Sequence, residues 1–478
     1  MSVLVVAANR LPVEVAADGS VTPSPGGLAS ALASVATQDS IWVGWPGSGA
    51  GRLGPLPAHH ARLHPIALSP AEESRYYQGF ANSVLWPLFH GRLRREEMNR
   101  AWWRTYRNVN ERFAVAIART APPNATVWVH DYHLLLVPKM LRARRPDVRI
   151  GLFLHIPFPN AQLFSMLPWR QDVLAGMLGS DLIGFQVAED AANFISAAGR
   201  VLELHDHGHR LRVGARTVEV DTFPISVDFI RWDGLGNDAV AAASALRSEL
   251  GVESIFLGID RLDYTKGITQ RLQAFEELVN EGRLDVERCA FVQVAVPSRS
   301  DVPAYQNERE EVETIVERIN SSHRRHNGAG PVRYIESSFD DTGLAAWYRA
   351  ADALVVTSLA DGMNLVAKEF VAARGDGDGV VVLSEFAGAA QDLPQALIIN
   401  PYDIEAIKSA LLTALAMPDE ERRSRMESMR DHVRHNDVHH WAQSFLERLA
   451  TVPRDRHRFS LWNLPLLSRL SMAYRRRR

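Results

Sequence analysis

The sequence predicts an α/β protein made of two doubly wound parallel sheets that face each other across a cleft. Three observations carry this. Short β-branched runs alternate with segments of helical period along most of the chain, the pattern of strands buried on both faces by helices. The alternation stops near a proline-bearing stretch, Thr222-Phe223-Pro224-Ile225-Ser226-Val227, and then begins again. A length of 478 residues also exceeds what one hydrophobic core ordinarily fills, about 100–200 residues.

In the first series the strands expected are Val3 to Ala8, Ile41 to Val43, Thr126 to Val129, Ile150 to Leu154 and Leu182 to Phe185, with a helix over Leu134 to Arg144. The second series has Ile255 to Ile259, Phe291 to Val296, Ala353 to Val356, Val380 to Leu383 and Leu397 to Ile399, with a helix over Gln270 to Val279. The junction falls between residues 226 and 227. Two such sheets bind ligands at their carboxyl edges.

Composition narrows the function. Apolar residues make up 46% and charged residues 23%, and the net charge is −3. A broad field for nucleic acid or membrane is thereby excluded, so any anion site must be a local cluster. The single cysteine, Cys289, rules out an internal disulfide and reads as a buried filler in a reducing compartment. The start of the chain lacks the basic region and long apolar run of a signal peptide, and no run reaches the ~20 apolar residues of a membrane span. Residence in the cytoplasm is expected. From Pro453 the sequence becomes an arginine- and leucine-rich tail ending in Arg475 to Arg478, interrupted by Pro465; it reads as a surface tail or a strap packed on the first domain, the alternative being a basic amphipathic segment lying on a membrane.

The strand ends carry the chemistry. Gly258 to Gly267 places Arg261 and Lys266 between a strand and a helix, where free N–H groups, the helix dipole, a forked donor and a point charge suit a phosphate. Ser358 to Glu369 repeats that context, and Asp361 and Glu369 suit sugar and ribose hydroxyls. In the first half, Asn9-Arg10-Leu11-Pro12 follows the opening strand, and Pro25-Gly26-Gly27-Leu28 precedes a helical segment. His130-Asp131-Tyr132-His133 and His155-Ile156-Pro157-Phe158-Pro159 lie just past strands and are expected to face the cleft. The aromatic residues Trp42, Trp45, Tyr76, Tyr77, Phe80 and Trp86 occupy segments poor in helical period, and serve either as stacking faces for sugars or as core.

Other patterns are dismissed. Asp376-Gly377-Asp378 has a metal-holding Asp-x-Asp form but precedes a strand, at the wrong sheet edge. His205 to His209 and His435 to His440 lack the helical or cysteine-paired spacing of zinc ligands. Gly47 to Gly51 opens no strand-to-helix unit, which argues against a nicotinamide cofactor.

Taken together, Asn-Arg-Leu-Pro, Pro-Gly-Gly-Leu, the Tyr76-Tyr77 segment with Leu85-Trp86-Pro87, His-Asp-Tyr-His, His-Ile-Pro-Phe-Pro, Arg-Leu-Asp-Tyr-Thr-Lys-Gly, Asp-Gly-Met-Asn-Leu-Val-Ala-Lys-Glu and Asn400-Pro401-Tyr402-Asp403 occur in one order. This resembles the trehalose-6-phosphate synthases, over nearly the whole chain to about Leu449. The resemblance implies a GT-B fold of two Rossmann-like domains: an acceptor domain, residues 1–226 with a crossover segment 441–478, and a nucleotide-sugar domain, residues 227–440. It implies a retaining transfer of glucose from a nucleotide carrier to glucose 6-phosphate, with no metal or other cofactor and no nucleic-acid or integral-membrane partner. The assembly implied is a homo-oligomer, a dimer or tetramer. Uridine diphosphate is the expected carrier, guanosine and adenosine diphosphate being the alternatives.

By motif, Gly26, Gly27, Arg261, Lys266, Phe339, Asp361, Asn364, Leu365, Val366 and Glu369 would bind the donor. Arg10, Tyr77, Trp86, Asp131 and Arg299 would bind the acceptor. His155 and Asp361 would contact the donor glucose, Trp86 and Ile156 would select the acceptor anomer, and His155, Arg261, Lys266, Asp361 and Asp131 form the expected catalytic set. One departure stands out: Ala360 occupies a position where the family commonly has arginine. The rivals are a sister enzyme with another phosphorylated acceptor, such as glycerol 3-phosphate, and a silent regulatory subunit. Retained Tyr77, Trp86 and Arg299 favour a hexose phosphate, and the intact donor residues disfavour a silent subunit.

Overall fold

The computed structural model describes residues 3–15, 21–23, 32, 39–47, 61–92, 98–205, 208–299 and 302–453. Gly26, Gly27 and the tail from residue 454 lie outside them. The first body is an eight-stranded sheet. Its strands are β1 (Leu4–Arg10), β4 (Ile41–Trp45), β5 (Arg62–Pro65), β6 (Thr126–His130), β7 (Arg149–Phe153), β8 (Leu182–Phe185), β9 (Arg210–Val213) and β10 (Arg216–Thr222), in the order β5-β4-β1-β6-β7-β8-β10-β9. All neighbours pair parallel except β10 with β9. A small hairpin, β2 (Val13–Val15) with β3 (Val21–Pro23), stands apart.

The second body holds β11 (Ser254–Arg261), β12 (Cys289–Val296), β13 (Val332–Ile335), β14 (Ala353–Val356), β15 (Val380–Ser384) and β16 (Leu397–Ile399) in the all-parallel order β13-β12-β11-β14-β15-β16. Each sheet reverses its strand order beside its first strand, which is where such folds open a crevice.

The expected strands are all present, and three of them, Leu182 to Phe185, Ala353 to Val356 and Leu397 to Ile399, keep their predicted bounds. Strands β5, β9, β10 and β13 were not anticipated, because they sit at or near sheet edges and mix arginine or histidine with apolar residues. The aromatic segment also differs from expectation: Glu73–Leu85 is a π-helix. Its i→i+5 bonding widens the period beyond 3.6, which hides it from a helical pattern. Tyr76 and Phe80 are buried in the core, whereas Tyr77 is only partly covered.

The chain leaves the first sheet at Thr222 and enters the second body through the helix Phe229–Asp238. A Cβ at Gly236 would lie 2.0 Å from the Ala373 carbonyl oxygen, so only glycine lets this helix press on the helix Leu365–Ala373. The helix Val438–Thr451 returns to the first sheet. Phe445 stacks on Trp128 with ring centroids 4.8 Å apart and fills the space left by Gly151 and Gly184, while Arg149 donates to the Leu449 and Val452 carbonyls. Cys289 is buried at the start of β12. Asp376 and Asp378 pair with Arg349, Arg374 and Arg422, which accounts for them structurally.

Candidate active site

Strand β1 ends in an irregular register: Ala7 faces Val43, but Arg10 faces Trp45. An extra residue on one strand bends it and re-aims its side chains. Gly44 makes this feasible, since a Cβ there would sit 2.8 Å from the Arg10 carbonyl carbon and oxygen. Arg10 is thereby laid over Trp45, 4.2 Å from the ring centre, and near Tyr77, 5.6 Å away.

From the other body, Arg299 reaches the same wall. Its guanidinium lies 4.1 Å from the Trp86 ring centre, donates to the Tyr132 hydroxyl at 3.0 Å and to the Tyr305 hydroxyl, with Asp263 3.9 Å away. Arg261 lies 5.3 Å from the Trp86 ring centre and keeps a 42% exposed side chain, which leaves it available to a ligand. Burial would raise the Tyr77 phenol, yet Arg299, Arg10 and Arg261 together hold it below its ordinary value. This is a local cluster of positive charge on a protein of net negative charge.

The donor edge is built on β11 and β14. Lys266 donates to Asp361 at 2.5 Å, and Asp361 also accepts from Asn364 at 3.1 Å and Ser358 at 3.3 Å. Burial opposes the Asp361 charge, but Lys266 wins and holds the carboxyl below the usual range. Asn364 caps the helix Leu365–Ala373 through Ala367 N–H at 3.1 Å, in a left-handed conformation of φ 77°. Glu369, in the middle of that helix, accepts from the Tyr348 hydroxyl at 2.7 Å; burial pushes its carboxyl up to about 7. Leu365 and Val366 are partly exposed at the same helix start, and Phe339 packs edge-on against Trp347.

Between the edges sit Asp131, His155 and Ile156. Asp131 has φ 72°, a strained value for a residue with a side chain. Its carboxylate accepts the His155 N–H at 3.3 Å, and burial raises it to about 6. Burial lowers the His155 imidazole to about 3. Three of the six positive-φ non-glycine residues among those described, Asp131, Arg299 and Asn364, belong to this site. The two bodies touch here, for a Cβ on Gly362 would lie 2.1 Å from the His155 carbonyl oxygen.

His130 and His133 correct the expectation that both histidine segments open on the cleft. Both are buried, and burial lowers both imidazoles; His130 ends β6 against Trp128 and Trp441, and His133, in the turn Tyr132–Leu134, stacks behind Tyr77. Tyr132, Asp263 and Tyr305, which orient Arg299, were not singled out in the sequence. The first two lie inside recognisable motifs, but Tyr305 and Gln186 carry no local signal. Ala360 lines a cavity of about 350 Å³ with Phe89, His90, Arg92, Phe386 and Tyr402. Among the described residues, one trio of carboxylates lies close enough to share an ion, Glu277, Glu281 and Glu405, and the Lys408 ammonium pairs with all three.

The profile of glycosyltransferase family 20 matches residues 2–451. The chain belongs to this family. It is 45% identical over 471 residues to a trehalose-6-phosphate synthase of Mycobacterium bovis, covering 93% of this chain and 94% of the relative. Among solved structures, a UDP-forming alpha,alpha-trehalose-phosphate synthase from Burkholderia xenovorans in complex with glucose 6-phosphate superposes with a TM-score of 0.86 at 34% identity, covering 94% of this chain and 100% of that one. An E. coli structure bound with UDP-2-fluoro glucose gives a TM-score of 0.86 at 33% identity, with 95% and 100% covered. These likenesses agree with the two parallel-sheet bodies and with the GT-B class expected from the sequence. No helix among the described residues is long and apolar enough to cross a membrane.

Proposed function

We propose that this chain transfers glucose from a nucleoside diphosphate glucose to glucose 6-phosphate with retention, releasing alpha,alpha-trehalose 6-phosphate and the nucleoside diphosphate. One observation carries the reading: a largely covered Lys266–Asp361 pair and a wall bearing Arg10, Arg261 and Arg299 confront each other in one cleft. The pair suits a donor diphosphate and its sugar, and the wall suits a second, phosphorylated ligand. In the proposed roles Arg261 and Lys266 take the diphosphate, Glu369 takes the ribose and Arg10 with Arg299 takes the 6-phosphate. Tyr77, Trp86, Asp131 and Ile156 frame the acceptor ring. Phe339, Leu365, Val366 and Asn364 border the nucleoside and sugar. Uridine diphosphate is the proposed carrier, supported by relatives described as UDP-forming.

A retaining double displacement needs an unengaged carboxylate beneath the anomeric carbon. Asp361 is held by Lys266, Asn364 and Ser358, and Asp131 is turned to the His155 N–H. Front-face transfer fits better. The bond from the anomeric carbon to the diphosphate oxygen breaks, the acceptor hydroxyl bonds on the same face, and its proton passes to the leaving diphosphate. Arg261 and Lys266 then balance the charge that grows there, each worth about 10²–10³ in rate by analogy with other preorganised donors. The positive charge thus comes from side chains, and a metal-independent reaction is part of the proposal. So are a cytoplasmic location, where phosphorylated sugars are retained, and a homo-oligomeric assembly, to be read by light scattering.

The test is an assay of purified protein with glucose 6-phosphate or glycerol 3-phosphate and a panel of nucleotide glucoses. Nucleotide release and disaccharide phosphate are both followed. Equal release and disaccharide, with glucose 6-phosphate alone, is expected; release without disaccharide rejects the assignment.

A further inference from the structure

Gln186 follows β8 and is buried at 1% exposure, yet it touches the cleft and the linker between the bodies. Its Oε1 accepts the backbone N–H of Ile225 at 2.9 Å. Only an oxygen can do so, which fixes the amide and turns Nε2 to His155 Nδ1, 3.4 Å away. An amide nitrogen donates, so Nδ1 must be the accepting, unprotonated nitrogen of the ring. The proton of neutral His155 then lies on Nε2, which faces His130 Nδ1 at 3.1 Å. The strong lowering of the His155 imidazole by burial agrees with a neutral ring.

The linker residue is also held from the far side. The Ile225 carbonyl accepts from Lys368 Nζ at 2.7 Å, and Lys368, on the helix Leu365–Ala373, pairs with Asp392 at 2.6 Å. The backbone of one linker residue, Ile225, is therefore gripped at its N–H by Gln186 of the first body and at its carbonyl by Lys368 of the second. At the other end of the chain of contacts, the His155 carbonyl meets Gly362, next to Asp361.

We propose that Gln186 is a positioning residue for the glycosyl transfer: it locks His155 in the Nε2–H tautomer and ties that ring to the seated linker, so that the His155 backbone meets Gly362, the neighbour of Asp361, in one register. The role rests on the transferase reading above, but its first readout does not. Ring nitrogen-15 spectra of the full chain, without substrates, should show His155 with a bare Nδ1 and a protonated Nε2. A protonated Nδ1 in the unaltered protein overturns the proposal, whatever the activity.

Two variants supply the second readout. Gln186→Glu keeps the acceptor for Ile225 but places a second acceptor opposite Nδ1, so the proton should move to Nδ1. Gln186→Met removes both bonds at similar volume. In each, kcat should fall about tenfold to a hundredfold, as for misplaced groups elsewhere, with KM for glucose 6-phosphate unchanged. An unmoved tautomer in Gln186→Glu, or unchanged kcat in both, overturns it. Rising KM together with lost near-ultraviolet circular dichroism overturns it too, because that marks a merely structural role. If neither variant folds, the spectrum of the unaltered protein still decides. An inactive unaltered protein counts against the transferase reading alone, and the tautomer then decides Gln186 by itself.

Discussion

Removing Lys266 separates the two roles given to it, as a partner of Asp361 and as a counter-charge to the leaving group. The ammonium lies 2.5 Å from Asp361, with side chains 12% and 13% exposed. Breaking a buried pair by deleting one member ordinarily costs ~3–5 kcal/mol, because a charge is left without a partner. Asn364 and Ser358 still donate to Asp361, so the lower end, ~3 kcal/mol, is expected for Lys266→Ala, a Tm drop of about 6–12 °C in a domain of this size. Turnover should fall about 10²–10³-fold, or ~2.7–4 kcal/mol, if the cation acts in the transition state, while KM for glucose 6-phosphate stays put. Adding Asp361→Asn removes the stranded charge, so the double variant should recover stability without recovering turnover. Calorimetry and continuous nucleotide release read the two effects. Wild-type Tm in the single variant, or regained turnover in the double, refutes the reasoning. Because the folded Asp361 carboxyl sits below its ordinary value, its contribution exists above about pH 4 and vanishes as pH falls through the folded value. The Tm gap between unaltered protein and Lys266→Ala should close in that window.

Three further outcomes are expected. Glu369 titrates near 7 when folded, above its unfolded value, so its stabilising contribution is complete below the unfolded value and is lost as pH rises through about 7; urea melts of Glu369→Gln should lack that fall, and its donor KM should rise. Arg10→Ala should raise KM for glucose 6-phosphate by about 10- to 100-fold, the worth of a hydrogen bond to a charged group, with donor KM unchanged in initial-rate kinetics. Gly362→Ala would set a Cβ against the His155 carbonyl, prising the bodies apart; kcat should collapse while calorimetry shows each body still folded.

The central strands were legible because parallel strands covered on both faces are continuous apolar runs, as in Ala353 to Val356. Strands with charge mixed into them were not: Arg210–Val213, at a sheet edge, is half solvated, and its neighbour Arg216–Thr222 is largely buried but interrupts its apolar residues with Arg216, Glu219 and Asp221. The same limit hid the π-helix Glu73–Leu85, whose period is not the one a helix normally shows. Candidate site residues could be named from the sequence where they lie past strand ends inside a motif, as Arg261, Lys266 and Asp361 do. Tyr305 lies in a helix and Gln186, though just past β8, lies in no motif.

By itself, then, the sequence determined the class of fold and the restart of the strand series, and it offered candidate residues for two phosphorylated ligands. Tertiary structure alone decided which of them meet. Lys266 finds Asp361 across 95 positions, Arg299 finds Tyr132 across 167, and Gln186 joins His155 to Ile225. Periodicity reports which face of an element is dry. Pairing of side chains from separate strands depends on sheet order and on how two bodies seat against each other, and no local pattern encodes that.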